Sequence, residues 1–438
     1  MGGNDSSFPP MLFYVIFVQM KRARSPLGIV FAIILVDVLG VGILIPIIPL
    51  LLTDPAYAYH ISGLTAQQGF ITLGWLLAMY PLMQFLTTPL LGQLSDHVGR
   101  RPVLAFSLLG TSLGYVAFAI GIITQNLPLL FFSRAFDGIT GSTISVAQAA
   151  IADSSTPENR TRAFGLIGAA FGIGFIIGPF LGGKLSDPSI LPWFNATTPF
   201  WFAAIIALLN SIAVFMFFGE TLKEKSHDAF RFTQSLINIK TAILDAKLRK
   251  LFTVSFLFQA GFSFFTSFFG AWMIYRFAFT QGNIGDFFAL IGICMAITQG
   301  FITGRIAKLF APHKVLMVSL LLISFTILGY ATVPYVWMLY VIIPFQALAM
   351  GLTMANLTGI ISRSADAKSQ GRILGINASV QALAQSLPPI LAGYVAATYA
   401  PNTPILIGAV SVFMAWAILV FFTRNIPTKP LNEIPVPA

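Results

Sequence analysis

Residues 92–102 read GQLSDHVGRRP and form a charged, glycine-containing break between two long apolar stretches. A degraded copy, GRIAKLFAPHK, follows at 304–314. A clearer pair is IADSSTPENRTRAFG at 151–165 and ISRSADAKSQGRILG at 361–375. This alignment pairs Arg162 with Arg372 and Gly165 with Gly375, and the same offset of 210 residues then pairs Pro179 with Pro389 and Gly183 with Gly393. The repeat predicts a fold with two related halves.

The composition indicates that both halves lie in a membrane. Of the 438 residues, 56% are hydrophobic and 9% are charged, whereas soluble domains have about 45–50% and about 25%. A single cysteine, Cys294, excludes a disulfide scaffold, and the 42 Phe exclude a disordered chain. The apolar runs are continuous, without the alternation of outer-membrane barrels. We therefore expect membrane-spanning helices.

Twelve apolar stretches of about twenty residues are separated by charged or Pro/Gly-rich breaks. Six precede and six follow one long polar stretch, which predicts an all-α membrane protein with two pseudo-symmetric six-helix bundles at 27–218 and 251–422. The segments 1–26 and 423–438 are expected to lie outside the membrane. The predicted spans 1 to 12 are 27–52, 69–94, 103–125, 128–152, 163–184, 198–218, 251–276, 284–307, 314–333, 335–361, 371–398 and 403–422.

The polar stretch 219–250 is expected to link the two bundles. After the opening GETLKEKSHD, apolar residues recur at three- and four-residue spacing, at Phe232, Leu236, Ile239 and Ile243. This spacing favours an amphipathic surface helix. A flexible tether whose apolar residues rest on the membrane fits the pattern equally well.

The net charge of +10 is unevenly distributed. Of the 25 Lys and Arg, Arg134 falls within a span and Lys184 and Arg276 fall in loops on one side, which leaves 22 on the other side. By the positive-inside rule the side with 22 is the cytoplasm, and it holds both termini and the linker. The basic charge is therefore explained by membrane topology, and nucleic-acid binding has no support beyond charge.

Three ionisable residues fall deep within spans, where each is costly. Asp37 lies 11 residues beyond Pro26, a depth of roughly 16 Å. Asp137 lies about 15 Å deep from the other side, and Arg134 is one helical turn before it. Such carboxylates beside a guanidinium can bind and release a proton as a cavity opens. A static ion pair between Arg134 and Asp137 is the structural alternative.

Span 5 carries a series of small residues and one proline, at Gly165, Gly174, Gly178, Pro179, Gly182 and Gly183. Small residues let helices approach closely and the proline introduces a bend, although ordinary packing explains glycines as well. The segment Gly178-x4-Gly183-Lys184 is close to a phosphate-binding loop, but Leu185 replaces the Ser or Thr that would hold magnesium. No HExxH or CxxC motif is present, and we expect neither an enzyme nor a metal site.

Polar residues within spans are candidates for lining a substrate cavity, with hydrogen bonding between helices as the alternative. They are Gln148, Gln259, Asn356, Asn377 and Gln381. Phe265 of span 7 is a further candidate because an aromatic ring can stack on a planar substrate. Most aromatic residues of span 7 are expected to face lipid.

These motifs resemble the major facilitator superfamily, specifically its twelve-span drug:proton antiporter branch, with bacterial tetracycline/proton antiporters as near relatives. The stretch GQLSDHVGRR at 92–101 resembles the superfamily signature between helices 2 and 3. The resemblance implies that this signature forms a cytoplasmic charge network with the acid that ends helix 4, which holds the inside closed. The residues concerned are Gly92, Asp96, Arg100, Arg101 and Asp153.

Three further stretches carry the resemblance. DVLGVGILIPIIP at 37–49 resembles the helix 1 motif of this branch, RAFDGITG at 134–141 the helix 4 motif tied to proton transfer, and the span 5 glycines the antiporter motif. Tetracycline antiporters also have a mid-membrane His and a further acid in the second half. Neither has a counterpart here, because all four His fall in loops or at helix ends and Asp286 of the second half lies near an outer helix end.

The resemblance implies a proton-coupled exporter of a small amphiphilic compound that works by alternating access. It would need no cofactor beyond the proton gradient, and it would act as a monomer in a bacterial inner membrane, with both termini cytoplasmic. The first alternative is a proton-coupled symporter that imports a nutrient or organic acid. The second is a non-transporting sensor or assembly factor on the same fold.

Overall fold

The computed structural model describes residues 26–154, 157–222, 224–226, 230–245, 248–364 and 370–423. The expected terminal segments therefore lie almost wholly outside the described residues. All regular secondary structure within the described ranges is helical.

The first half contains eight helices. They are α1 (Pro26–Leu44), α2 (Ile48–Thr53), α3 (Ala66–Val98), α4 (Arg100–Ile123), α5 (Leu127–Thr140), α6 (Thr143–Ser154), α7 (Pro157–Leu185) and α8 (Thr198–Phe217).

The linker contains α9 (Gln234–Leu244), and the second half contains seven α-helices. These are α10 (Arg249–Phe277), α11 (Gln281–Ile297), α12 (Thr303–Leu309), α13 (Pro312–Thr332), α14 (Val336–Arg363), α15 (Gln370–Thr398) and α16 (Thr403–Thr423). A π-helical turn at Thr298–Ile302 joins α11 to α12.

Each of the twelve predicted spans coincides with one helix or with a broken pair, which confirms the two-bundle fold class. Within the described residues, nine helical stretches are long and apolar enough to cross a membrane by themselves. Span 4 is not among them because it is broken between α5 and α6. In span 5 the apolar stretch whose surroundings are described, Gly172–Leu185, is shorter than a full span. Span 11 is less apolar because Gln381 and Gln385 lie within it.

Each bundle has its own apolar core. In the first half, α1 packs on α7 and α4 packs on α5 and α8; in the second half, α10 packs on α15 and α16, and α13 packs on α14. Two bundles also need a common surface, and a third apolar cluster supplies it. There Phe264 and Phe268 of α10 pack among side chains of the first half, including Leu73 and Tyr115.

The bundles touch most closely on the side opposite the linker, called the far side below. A Cβ placed on Gly183 of α7 would lie 2.5 Å from the carbonyl oxygen of Gln281 and 3.0 Å from Cα of Gly285 in α11. A Cβ placed on Gly74 of α3 would lie 3.0 Å from Cα of Gly393 in α15. Gly183 and Gly393 are equivalent in the sequence repeat, so the two contacts are copies of one pseudo-symmetric crossing.

The halves of the helices nearer the linker, called the linker side, are separated. Glycines there would accept a Cβ with no neighbouring atom within 4 Å, namely Gly92, Gly172, Gly300, Gly304, Gly359 and Gly375. Closed far-side crossings and free linker-side glycines together mean that the cavity between the bundles opens on the linker side.

We expect Gly183→Val to disfavour this conformation, because the added side chain meets the backbone of α11. Overpacking of this kind costs about 1–3 kcal/mol, which corresponds to roughly 5- to 150-fold in the balance between two states. The measurement is labelling of Ser186→Cys, a buried far-side position, by an impermeant maleimide in a Cys294→Ser background. Gly172→Val on the same helix is the control, and an equal labelling rate in both variants would contradict the assignment.

Candidate functional site

Span 4 breaks near its centre, at Gly141 and Ser142 between α5 and α6. The carbonyl oxygen of Gly141 accepts hydrogen bonds from Tyr80 Oη and Gln84 Nε2 of α3, both at 3.4 Å. Side chains of a neighbouring helix thus satisfy a backbone group that the break frees, as a low-dielectric interior requires. Thr88 Oγ1 donates to Ser142 Oγ at 3.1 Å, so a polar patch surrounds the break.

Arg134 and Asp137 form a buried ion pair one turn before the break. Arg134 Nη1 donates to Asp137 Oδ2 at 2.8 Å, and the two side chains are 6% and 3% exposed. The guanidinium also lies over the ring of Tyr80, 4.7 Å from its centroid, which adds a cation–π attraction. Gly114 of α4 makes room, since a Cβ there would lie 3.1 Å from Asp137 Cβ.

Asp37 of α1 is also buried, at 3% exposure, but its environment differs. Thr143 Oγ1 donates a hydrogen bond to Asp37 Oδ2, and Thr143 is the first residue of α6. The positive end of that helix dipole therefore faces the carboxylate. Among the described residues Asp37 has no cationic partner within ion-pair distance. The one guanidinium of this centre pairs with Asp137 alone.

The signature loop meets the end of span 4 on the linker side. The buried guanidinium of Arg100 contacts Asp96 Oδ1 at 2.6 Å, Asp153 Oδ2 at 3.1 Å and Ser95 Oγ at 2.5 Å. All four residues belong to the first bundle, so in this structure their contacts join α3 and α4 to the end of α6 and do not bridge the two bundles on the open linker side. Arg101 lies apart from it, since its Nη2 donates to the carbonyl oxygen of Phe215 and its charge faces the Phe215 ring.

Glu220 is part of this region, although no motif or spacing in the sequence connects it with the signature loop. Its carboxylate accepts backbone hydrogen bonds from Arg100 and Arg101, and so caps α4, whose first residues follow Gly99. Gly99 has φ +122° and a Cβ there would meet the carboxylate. Partial burial acts to raise the pKa of Glu220, but hydrogen bonds from four backbone N–H groups, including that of Leu222, lower it overall.

The span 5 glycines serve two surfaces. Gly174, Gly178 and Gly182 face α1, where Cβ atoms would meet the side chain of Val38 and the backbone of residues 39–43. Gly183 faces α11. Pro179 takes part in the second surface, because its carbonyl oxygen lies beside Gly285. Gly165 lies in the part of α7 whose surroundings the structure does not describe. The motif therefore joins span 1, which carries Asp37, to the bundle interface.

The candidate cavity residues occupy several environments. Asn377 accepts a hydrogen bond from Ser255 Oγ at 2.8 Å between α15 and α10, and Asn356 donates to Leu352 within α14. Gln259 is buried, and within the described chain its Oε1 accepts no hydrogen bond. Gln148 is exposed and Gln381 is half-buried.

Phe265 is buried in an aromatic cluster with Phe269 and Tyr330, at centroid distances of 4.6 and 5.5 Å. The expectation that most span 7 aromatics face lipid is wrong. Aromatic side chains all along α10 are buried, namely Phe252, Phe258, Phe264, Phe265, Phe268, Phe269 and Trp272. The reason is that α10 packs on both α15 and α16 and also reaches the first bundle.

On the far side an ion pair joins the bundles directly. Lys184 Nζ of α7 lies 2.9 Å from Asp286 Oδ2 of α11, and both side chains are partly exposed. Nearby, Gln281 Nε2 donates to the carbonyl oxygen of Ser186 at 3.2 Å. Among the described residues, no group of three His, Cys, Asp or Glu could hold a metal ion.

The fold consists of two six-helix bundles related by a sequence repeat, packed together on one side and open on the other. Charged side chains are buried near mid-membrane. These features define a two-bundle secondary transporter. The family model described as Major Facilitator Superfamily matches residues 30–285 and 251–437. The chain belongs to the major facilitator superfamily, and is therefore a multi-pass membrane transporter of a small molecule.

Its relatives include tetracycline resistance proteins. The class H protein of Pasteurella multocida is 30% identical over 93% of this chain and 98% of its own length. The class C protein of Escherichia coli is 33% identical over 87% and 91%. Among solved structures, that of the human organic anion transporter MFSD10 (TETRAN) matches with a TM-score of 0.68 at 24% identity, over 90% of this chain and 98% of that one. This last likeness concerns the fold.

We expect Arg134→Gln to destabilise the protein by about 3–5 kcal/mol, because it leaves Asp137 buried and unpaired. Adding Asp137→Asn should recover most of the loss. The measurement is thermal unfolding in detergent. Lys184→Gln with Asp286→Asn is the control pair, and its partly exposed ion pair should contribute about 0–1 kcal/mol. Equal losses in Arg134→Gln with and without Asp137→Asn would show that the pair is not coupled.

Glu220→Gln should lower stability in a pH-dependent way. Because the pKa of Glu220 is lowered in the folded protein, its charge stabilises the fold above the ordinary glutamate pKa of about 4.3, and this contribution is lost as pH falls through the lowered pKa. The unfolding temperatures of wild type and variant should therefore differ at pH 7 and converge in acid. A difference that persists unchanged at low pH would rule out the charged cap.

Proposed function

We propose that the chain is a proton-coupled antiporter that exports a small amphiphilic compound by alternating access. The observation that carries the proposal is the contrast between two buried carboxylates in one bundle. Asp137 is held by Arg134, whereas Asp37 has only the hydroxyl of Thr143 and the end of α6. A carboxylate with a neutral partner can take up and lose a proton without leaving a buried cation unpaired.

In this mechanism Asp37 carries the proton and the Arg134–Asp137 pair provides a fixed charge arrangement beside it. Protonation of Asp37 from the far side would neutralise the site and weaken the binding of substrate. Release of the proton to the linker side would restore the charged, substrate-binding form. Substrate and proton then compete for one polarised site, which couples their opposite movements.

Asp37 is well placed to couple protonation to movement. Its helix α1 packs on α7 through Gly174, Gly178 and Gly182, and α7 contacts α11 of the other bundle at Gly183. A change at Asp37 therefore reaches the bundle interface through one shared helix. This continuous packing supports a mechanism in which proton binding biases a two-state equilibrium.

The substrate class follows from the distribution of charge. Among the described residues, the buried charged side chains are Asp37, Arg100, Arg134 and Asp137, all in the first bundle. The second bundle offers amides such as Gln259 and a large aromatic cluster. A compound with one polar or charged end and an apolar body suits these two surfaces. The relatives' names make tetracyclines the first compounds to test.

The same proposal places the linker side in the cytoplasm, as the distribution of Lys and Arg indicates. The membrane would be a bacterial inner membrane, and the protein would act as a monomer. The conformation described above is then open to the cytoplasm, ready to load substrate for export. Import by symport uses the same fold, and no feature of the site favours it over antiport.

The test is transport in proteoliposomes that hold a pH-sensitive dye inside and have no other energy source. Adding tetracycline-like, cationic or anionic amphiphiles should produce proton flux opposite to substrate flux. Asp37→Asn should abolish it, and Asp54→Asn, which changes a half-buried loop carboxylate on the far side, should retain it. Proton flux in the same direction as substrate would indicate symport. Full proton-driven transport by Asp37→Asn would overturn the proposed role of Asp37.

A further inference from the structure

Part of the linker lies alongside the first bundle and not only at the ends of its helices. Its backbone follows α3 back toward the membrane centre, with Ser226 N donating to the Asp96 carbonyl oxygen at 2.9 Å. Farther along, Gln93 and the backbone of Arg231 exchange two hydrogen bonds, at 2.7 and 3.2 Å. Ser235 Oγ then donates to the carbonyl oxygen of Phe85 at 2.5 Å. Each step reaches a residue of α3 closer to its middle.

Helix α9 next crosses from one bundle to the other. Asn238 Nδ2 donates to Ser379 Oγ of α15 at 2.9 Å, while Ala242 belongs to the apolar core of the second bundle. Ser235 and Asn238 are one helical turn apart, so one face of α9 contacts α3 and α15 together. These two helices are the pair that cross at Gly74 and Gly393 on the far side.

The contacts lie at membrane depth. Phe85 is 13 residues from the end of α3 at Val98, about 20 Å along the helix axis, and Ser379 is about 14 Å from the start of α15 at Gln370. The side of α9 that faces away from the bundles carries exposed Leu236, Ile243 and Leu244. It also carries exposed Lys240, whose long side chain can extend along the helix to the headgroups. Acyl chains of the bilayer are the covering that such an apolar surface requires at this depth.

We propose that α9 is a wedge, embedded in the linker-side leaflet, that holds the linker-side halves of α3 and α15 apart and so stabilises the open state. Two bundles that close on the linker side must bring these halves together, in the space that α9 occupies. The wedge therefore has to withdraw in every transport cycle. This part of the inference rests on the alternating access proposed above.

The position of the wedge is tested by cross-linking in native membranes, in a Cys294→Ser background. Asn238→Cys with Ser379→Cys should be joined by a short bis-methanethiosulfonate reagent. Leu236→Cys with Ser379→Cys is the matched control, because Leu236 lies on the exposed face of the same helix. Equal cross-linking of both pairs, or none in the first, would overturn the placement, whether or not the protein transports any compound.

The role of the wedge is tested without a substrate. Ser235→Ala with Asn238→Ala removes both side-chain hydrogen bonds, and should raise maleimide labelling of Ser186→Cys by roughly three- to tenfold as the far side opens. Thr241→Ala is the control, because its hydroxyl bonds to Ile237 of its own helix. Unchanged labelling in the double variant would show that α9 rests in the gap without biasing the two states.

Discussion

The close approach of helix backbones at the far side is the contact on which the two-bundle arrangement depends. Where Gly183 meets Gly285 and Gly74 meets Gly393, any side chain would push the helices apart. In a bilayer the helices gain little from leaving lipid for each other, so such small-residue crossings supply packing that apolar side chains alone do not. The two crossings are related by the sequence repeat, and they hold the bundles at two equivalent points. A pair of bundles joined at one end can open only at the other.

The buried charged side chains do not follow the two-fold pseudo-symmetry of the bundles. All of those described lie in the first bundle, and each has a local reason to be tolerated. Arg100 is surrounded by two carboxylates and a hydroxyl, and Arg134 by Asp137 and the ring of Tyr80. Asp37 has the weakest compensation, a hydroxyl and a helix end. Because an uncompensated buried charge is costly, the group with the least support is the one whose ionisation most readily changes with the state of the protein.

What the sequence predicted well was local or periodic. The twelve spans follow from hydropathy, and the contact between Arg134 and Asp137, one turn apart in α5, follows from helical spacing. Contacts between distant helices carry no such signal. The ion pair of Lys184 with Asp286 joins two loop-proximal residues about 100 positions apart, and Glu220 reaches the start of α4 from the end of α8. Pairing of this kind depends on which helices are neighbours, and residue spacing does not determine that.

The linker is a clearer case of contacts that residue spacing does not predict. It also breaks the pseudo-symmetry of the two bundles. The apolar spacing of Phe232, Leu236, Ile239 and Ile243 predicted a helix. Of these side chains, Ile239 packs on the core of the second bundle and the other three are exposed, while Ser235 and Asn238 make hydrogen bonds with the bundles. A polar face is what a gap lined by carbonyl oxygens and hydroxyls can bind. Within the described residues, α9 fills the gap between α3 and α15, whereas the equivalent gap between α7 and α11 has free glycines and no such helix. Two related halves therefore form a cavity whose two lateral openings differ, and the linker, which has no repeat partner, is the source of the difference.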